Sequence, residues 1–113
     1  MHELSLAESM RELIEEQALK EQFKSVSVVY LEVGQLSHVE AEAMRFCFES
    51  VMQGSPAEGA ELRISSSKGI GQCRSCHLES EIEQLYDPCQ HCGEFGLKLI
   101  QGDQVRIVSL KVT

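Results

Sequence analysis

Two groups of residues in this chain have the types and spacing to do chemistry, and both point to metal ions. The first is a pair of Cys-x2-Cys motifs, Cys73 with Cys76 and, twelve residues on, Cys89 with Cys92, inside the stretch CRSCHLESEIEQLYDPCQHC. Each motif makes a turn that aims two thiolates at one point. Two such turns can set four sulfurs at about 2.3 Å around Zn²⁺, which asks only for a tetrahedron. Pro88 stiffens the approach to the second turn, and Gly93 tolerates positive φ after its last ligand. Structural zinc supplies about 10–16 kcal/mol of apparent binding energy, more than so short a segment could gain from burial.

Other readings of these cysteines are weaker. Cys73-Arg-Ser-Cys-His77 alone resembles a covalent haem attachment site. Haem, however, needs export, a distal ligand and an apolar pocket, and it leaves Cys89 and Cys92 unexplained. A thiol redox pair lacks its strand-then-helix setting. Ligand type alone leaves a [4Fe–4S] cluster open. His77 and His91 adjoin the cysteines, and either they exchange with a thiolate as imidazole donors or they are exposed residues on the turns. Cys47 lies on an apolar helical stripe and reads as a small core residue.

The second group is the opening Met1-His2-Glu3. The Met1 α-amine, the deprotonated His2 backbone nitrogen and the His2 imidazole can close adjacent chelate rings in one plane. Ni²⁺ and Cu²⁺ accept such a planar nitrogen set and Zn²⁺ does not favour it. The Glu3 backbone nitrogen or a carboxylate could complete the square. The alternative is a frayed terminus with an incidental histidine.

Composition narrows the partners. With 10 basic and 18 acidic residues the formal charge is −8, which disfavours nucleic acid and anionic membranes, because phosphate binding is driven by Lys and Arg. The cysteine-rich segment repeats the bias: Lys68, Arg74 and Lys98 face Glu79, Glu81, Glu83, Asp87 and Glu94. There is no long apolar run for a membrane span, and the opening lacks the basic and apolar regions of a signal peptide. A cytoplasmic protein is expected, in which thiols stay reduced and bind metal. No convincing nucleophile and base pair suggests an enzyme.

The elements that must position these residues follow from local pattern. Leu6, Met10, Leu13, Ile14 and Ala18 form an amphipathic stripe over 5–23, and Ser5 with Glu8 matches a capping box. That start leaves Met1 to Leu4 as a free arm. SVSVVYLEVG (25–34) is a β-branched run ending at Gly34 and reads as a buried strand. Ser37 with Glu40 makes a second capping box ahead of a helix carrying Ala43, Met44, Cys47, Phe48 and Val51, broken by Gly54-Ser-Pro56. Strands follow at 60–65 and at 104–112, where Val108, Leu110 and Val112 alternate. The expected fold is α+β: two helices packed on a roughly three-stranded sheet, with an inserted small zinc-ribbon-like domain built on the four cysteines. Residues 1–67 and 103–113 form the main domain and 68–102 the insert.

The opening MHELSLAES, the passage LEVGQLSHVEAEAMRFCFE, the turn GSPAEGAEL and the Cys-x2-Cys-x12-Cys-x2-Cys insert resemble, in order and over essentially the whole chain, the HypA/HybF family of hydrogenase maturation nickel chaperones. The resemblance implies a nickel-binding α+β domain with Met1, His2 and Glu3 as nickel donors and Glu40 at an acidic position that completes the site in some members. Glu40 has a rival role, bonding back to the Ser37 amide as part of its capping box. Zinc maps to Cys73, Cys76, Cys89 and Cys92. Ala7 stands where some relatives carry Cys, away from both sites. The implied work is delivery of Ni²⁺ as cargo to the [NiFe]-hydrogenase large subunit together with the HypB GTPase, with a related role in urease maturation in some organisms. The chain would act as a monomer or homodimer. The competing function is a zinc-bearing docking protein that recruits the GTPase and never carries nickel.

Overall fold

The computed structural model describes residues 3–113. The valine-rich run folds as β1 (Val26–Gly34), the middle strand of a three-stranded sheet ordered β2-β1-β6, with β2 at Glu61–Ser67 and β6 at Val105–Val112. A central strand has no exposed edge. Val26, Val28, Val29, Leu31 and Val33 are accordingly all buried, and β-branched side chains suit such a surface. β6 lies at the edge. There Val108 and Val112 are exposed, while Val105, Ile107 and Leu110 are half-buried.

Two helices accompany the strands, α1 (Glu3–Glu21) and α2 (Ala41–Val51). Neither starts where its capping-box pattern suggests. α1 already includes Glu3 and Leu4, so Ser5 is inside the helix and the expected free arm through Leu4 is not present at those residues. Its buried positions are Glu3, Ala7, Met10 and Ile14, whereas Leu13 is exposed. Ahead of α2, Gln35–Ser37 form a 3-10 turn and His38 takes a left-handed φ of 60°. The Ser37 hydroxyl donates to the Gly34 carbonyl at 2.6 Å. Glu40 is then the residue that caps α2, and it makes no side-chain cap bond.

The chain divides into two compact units. One comprises the chain up to Leu31 with Val39–Ser65 and Arg106–Thr113; the other comprises Glu32–His38 and Ser66–Val105. In the first unit α1 and α2 pack side by side and run parallel. Glu3 at the start of α1 meets the start of α2, and Arg11, two turns on, donates to the Val51 and Gln53 carbonyls at its end. Met44, Phe48 and Met52 complete the core with Ala7, Met10 and Ile14.

The second unit holds a small antiparallel sheet ordered β4-β3-β5, from β3 (Ile70–Gln72), β4 (Glu79–Glu81) and β5 (Lys98–Gln101). Gly71 pairs with Ser80 across β4 and with Leu99 across β5. Strands of three or four residues are too short to show a period, so sequence pattern does not reveal them. In this unit Gly34 lies so close to Gly102 that a Cβ at position 34 would fall 2.2 Å from the Gly102 carbonyl oxygen.

Candidate metal centre

Cys73 and Cys89 each open a turn of the same construction. The His77 amide donates to the Cys73 carbonyl at 3.0 Å, and the Cys73 amide to the Leu78 carbonyl at 2.9 Å. In the second turn the Gly93 amide donates to the Cys89 carbonyl at 3.0 Å, and the Cys89 amide to the Glu94 carbonyl at 2.8 Å. The residue after each second cysteine has positive φ, 78° at Gly93 and 64° at His77. Glycine adopts that region without strain and histidine at some cost. Only the second turn advertises its shape in the sequence.

The two turns bring their sulfurs together. All four Sγ atoms lie within 4.8 Å of one another, with Cys73 to Cys92 at 3.5 Å and Cys76 to Cys89 at 3.7 Å. A tetrahedron with ligands about 2.3 Å from a zinc ion has edges of about 3.8 Å. The donor set therefore fits one zinc-sized ion, and sulfurs this close leave no room for an iron–sulfur cubane. The same closeness removes the haem reading, because the Cys73 sulfur is buried and turned toward the other thiols.

Backbone and side-chain donors set the charge on each sulfur. The Cys92 amide lowers the Cys89 thiol, helped by the His91 amide at 3.3 Å and the Ser80 hydroxyl at 3.9 Å, and the net result against burial is about 6. Cys73 is lowered by the Cys76 amide and then the Ser75 amide, both 3.4 Å away. For Cys92 the Glu94 amide pulls down, but the Cys73 thiol, burial and the remaining thiols push it up to about 12. Cys76 is also raised: burial and the Cys73 and Cys89 thiols outweigh the Leu78 amide. The first cysteine of each turn is the readier thiolate.

Ser80 is a residue that sequence reasoning does not single out. It is buried on β4, donates to Cys89 and accepts from the Gln90 amide at 3.1 Å, an outer bond of the kind that orients a metal ligand. Of the histidines, His91 donates from Nε2 to the Glu79 carbonyl at 3.0 Å, which fixes its tautomer, and His77 is exposed. Cys47 is half-buried on α2 and is not one of the four.

A family model described as hydrogenase/urease nickel incorporation, metallochaperone, hypA matches residues 1–112. The chain belongs to the HypA family. Similar to it are the hydrogenase maturation factors HypA of Azotobacter chroococcum mcd 1, 46% identical, and Azotobacter vinelandii, 44% identical, each over 99% of both chains. Its backbone is similar to the solution structure of the Ni metallochaperone HypA from Helicobacter pylori, with a TM-score of 0.75 and 28% identity over 99% of this chain and 97% of that one. Membership makes it a maturation factor and metallochaperone, not an enzyme. No helix among the described residues is long and apolar enough to cross a membrane.

The residues expected to hold nickel in a HypA chain are placed in part. Met1 and His2 lie outside the described residues. Glu3 is in the first turn of α1 and only 5% exposed. Glu40 is exposed at the N-cap of α2. The fold brings these two together, the Glu40 amide donating to Glu3 Oε2 at 3.2 Å. Both belong to the first compact unit, while the four cysteines belong to the second.

Proposed function

We propose that this chain carries Ni²⁺ at its N-terminus and hands it on during maturation of a nickel enzyme, the [NiFe]-hydrogenase large subunit and in some settings urease. The observation that carries the reading is the family match along residues 1–112, which includes the opening Met1-His2-Glu3. The Met1 amine, the His2 amide nitrogen and the His2 imidazole supply three corners of the planar set that Ni²⁺ accepts, and a carboxylate from Glu3 or Glu40 can take the fourth.

Zn²⁺ is the resident ion at Cys73, Cys76, Cys89 and Cys92, and when bound it supplies structural cross-linking. Around it the chain's own residues do the positioning: the amides of the two turns bond the thiolates, and Ser80 holds Cys89. The nickel domain is 1–67 with 103–113 and the zinc domain 68–102. Delivery proceeds in the cytoplasm with the HypB GTPase. A carrier must release its cargo, and donors at a chain end can be taken over by a partner one at a time, whereas a closed cage could not be.

Calorimetric titration of Ni²⁺ into zinc-loaded protein with its native start tests this reading. One nickel per chain, lost on His2→Ala with zinc retained, is expected. Nickel binding that is absent, or unchanged by the substitution, would favour a docking protein that recruits the GTPase without carrying metal.

A further inference from the structure

β6 ends the sheet order β2-β1-β6, so one of its edges meets β1 and, among the described residues, no strand covers the other. An uncovered edge leaves the N–H and C=O groups of alternate residues without a ladder partner, which makes it a template for one more strand. Near the end of β6 the direction of these groups is fixed. The Thr113 amide donates to the Ser25 carbonyl at 2.9 Å, and the Lys111 carbonyl accepts from the Ser27 hydroxyl at 3.2 Å. Lys111 and Thr113 thus turn their backbone groups to β1, and Val112 between them turns its own to the open side.

The two end strands of this sheet are not alike. On β2 the Leu62 carbonyl accepts from Arg45 of α2, and the exposed Glu61 and Arg63 pair with each other. On β6 the exposed side chains include Val108 and Val112. Charge says what could lie beside them. Both charged residues from 104 to 113, Arg106 and Lys111, are basic, on a chain whose formal charge is −8. A second copy of β6 would bring like charges to the seam, which is unfavourable across paired strands. An acidic strand would bring the opposite sign, so the same residues that turn away a copy admit a different partner.

We propose that the open edge of β6 is a docking site for an extended segment of a partner protein in which acidic residues alternate with β-branched apolar ones, added to the sheet as one further strand. Main-chain bonds to outward groups such as those of Val112 hold the segment, its apolar side chains cover the exposed valines, and its acids meet the basic strand at Lys111. The residues involved, 106–113, all belong to the first compact unit. The proposal goes beyond the nickel-carrier reading and does not depend on it.

Two peptides of eight residues, the length of β6, test it on full-length, zinc-loaded protein. One alternates Glu with Val and the other Lys with Val, and both carry the same fluorescent label. The Glu/Val peptide should bind about tenfold tighter than its counterpart and weaken as salt is added. On binding it should slow hydrogen exchange at the Val112 amide and leave that of Thr113, already bonded to β1, nearly unchanged. Val112→Pro removes the outward N–H without taking a bond from β1 and should weaken the Glu/Val peptide about tenfold. Lys111→Glu should weaken it about threefold, and this exposed position keeps the test available where proline disturbs the strand. Exchange at Val29 in β1 reports whether the unit remains folded. The proposal is overturned if the Glu/Val peptide does not bind, if both peptides bind equally, or if binding leaves exchange at Val112 unchanged. It is equally overturned if sedimentation shows a dimer of the parent that Val112→Pro dissolves, because the occupant of the edge would then be a second copy of this chain.

Discussion

Arg11 Nη1 lies 2.8 Å from the Val51 carbonyl oxygen and 2.9 Å from that of Gln53, so one residue of α1 serves the C-terminal end of α2. With Glu3 at the other end, α1 supplies an anion to the start of α2 and a cation to its finish, each matching the local sign of the helix dipole. α2 has eleven residues, too few to be stable alone. Replacing Arg11 by Ala should lower stability by about 1–2 kcal/mol through loss of charge-assisted bonds to two carbonyls. Urea unfolding followed by circular dichroism measures this, and an unchanged midpoint would show that the contact contributes nothing.

Gly34 has an ordinary φ of −69°, so alanine there is not strained by backbone conformation. The obstacle is space, since its Cβ would meet the Gly102 carbonyl. Two bonds cross the same place, Leu36 N–H to Gly102 O at 2.7 Å and Gly34 N–H to Gln104 O at 2.8 Å. Gly34→Ala should cost about 1–3 kcal/mol as the two backbones are forced apart. Thermal unfolding would show the loss, and a melting temperature equal to the parent's would contradict it.

Zinc removal should act on the second unit first. Its buried residues include Ile82, Ser80 and two of the four cysteines, too little apolar surface to hold three short strands without an ion. Chelation should collapse the amide dispersion of residues 70–101 in an NMR spectrum while Val29 and Phe48 keep theirs. A dispersed β3–β5 sheet in metal-free protein would show that the thiol cluster is dispensable for folding.

The thiols also give zinc binding a pH signature. Because the metal-free second unit is expected to lose its fold, its four thiols start near the ordinary cysteine value of about 8.5 and are mostly protonated at neutral pH. Each zinc must then displace those protons, and affinity should fall steeply as pH drops from about 8 to about 6. Calorimetry in buffers of different ionisation enthalpy counts the protons, and a count near zero at pH 7 would contradict the expected unfolding of the metal-free unit.

What the sequence discloses is what is local. A β-branched run marks β1, and Cys-x2-Cys marks each turn because the four residues of the motif are four of the five that make the turn. The helix starts are disclosed less well. Ser5 with Glu8 and Ser37 with Glu40 match a capping box, but that pattern is short, and neither helix follows it; a long-range bond joins Glu3 to the Glu40 amide instead. The stripe on α1 is also shifted, with Glu3 and Ala7 inside and Leu13 outside. Ser80 and the Gly34–Gly102 approach leave no mark in a single sequence, since each depends on a partner far along the chain.

The most direct measurement is the number of nickel ions bound by zinc-loaded protein with its authentic Met1, compared with the His2→Ala form. One Ni²⁺ per chain in the parent, none in the variant, and one zinc retained in both is the expected result. Equal nickel uptake by the two forms, or zinc lost from the variant along with nickel, would contradict a terminal nitrogen site that works apart from the four cysteines.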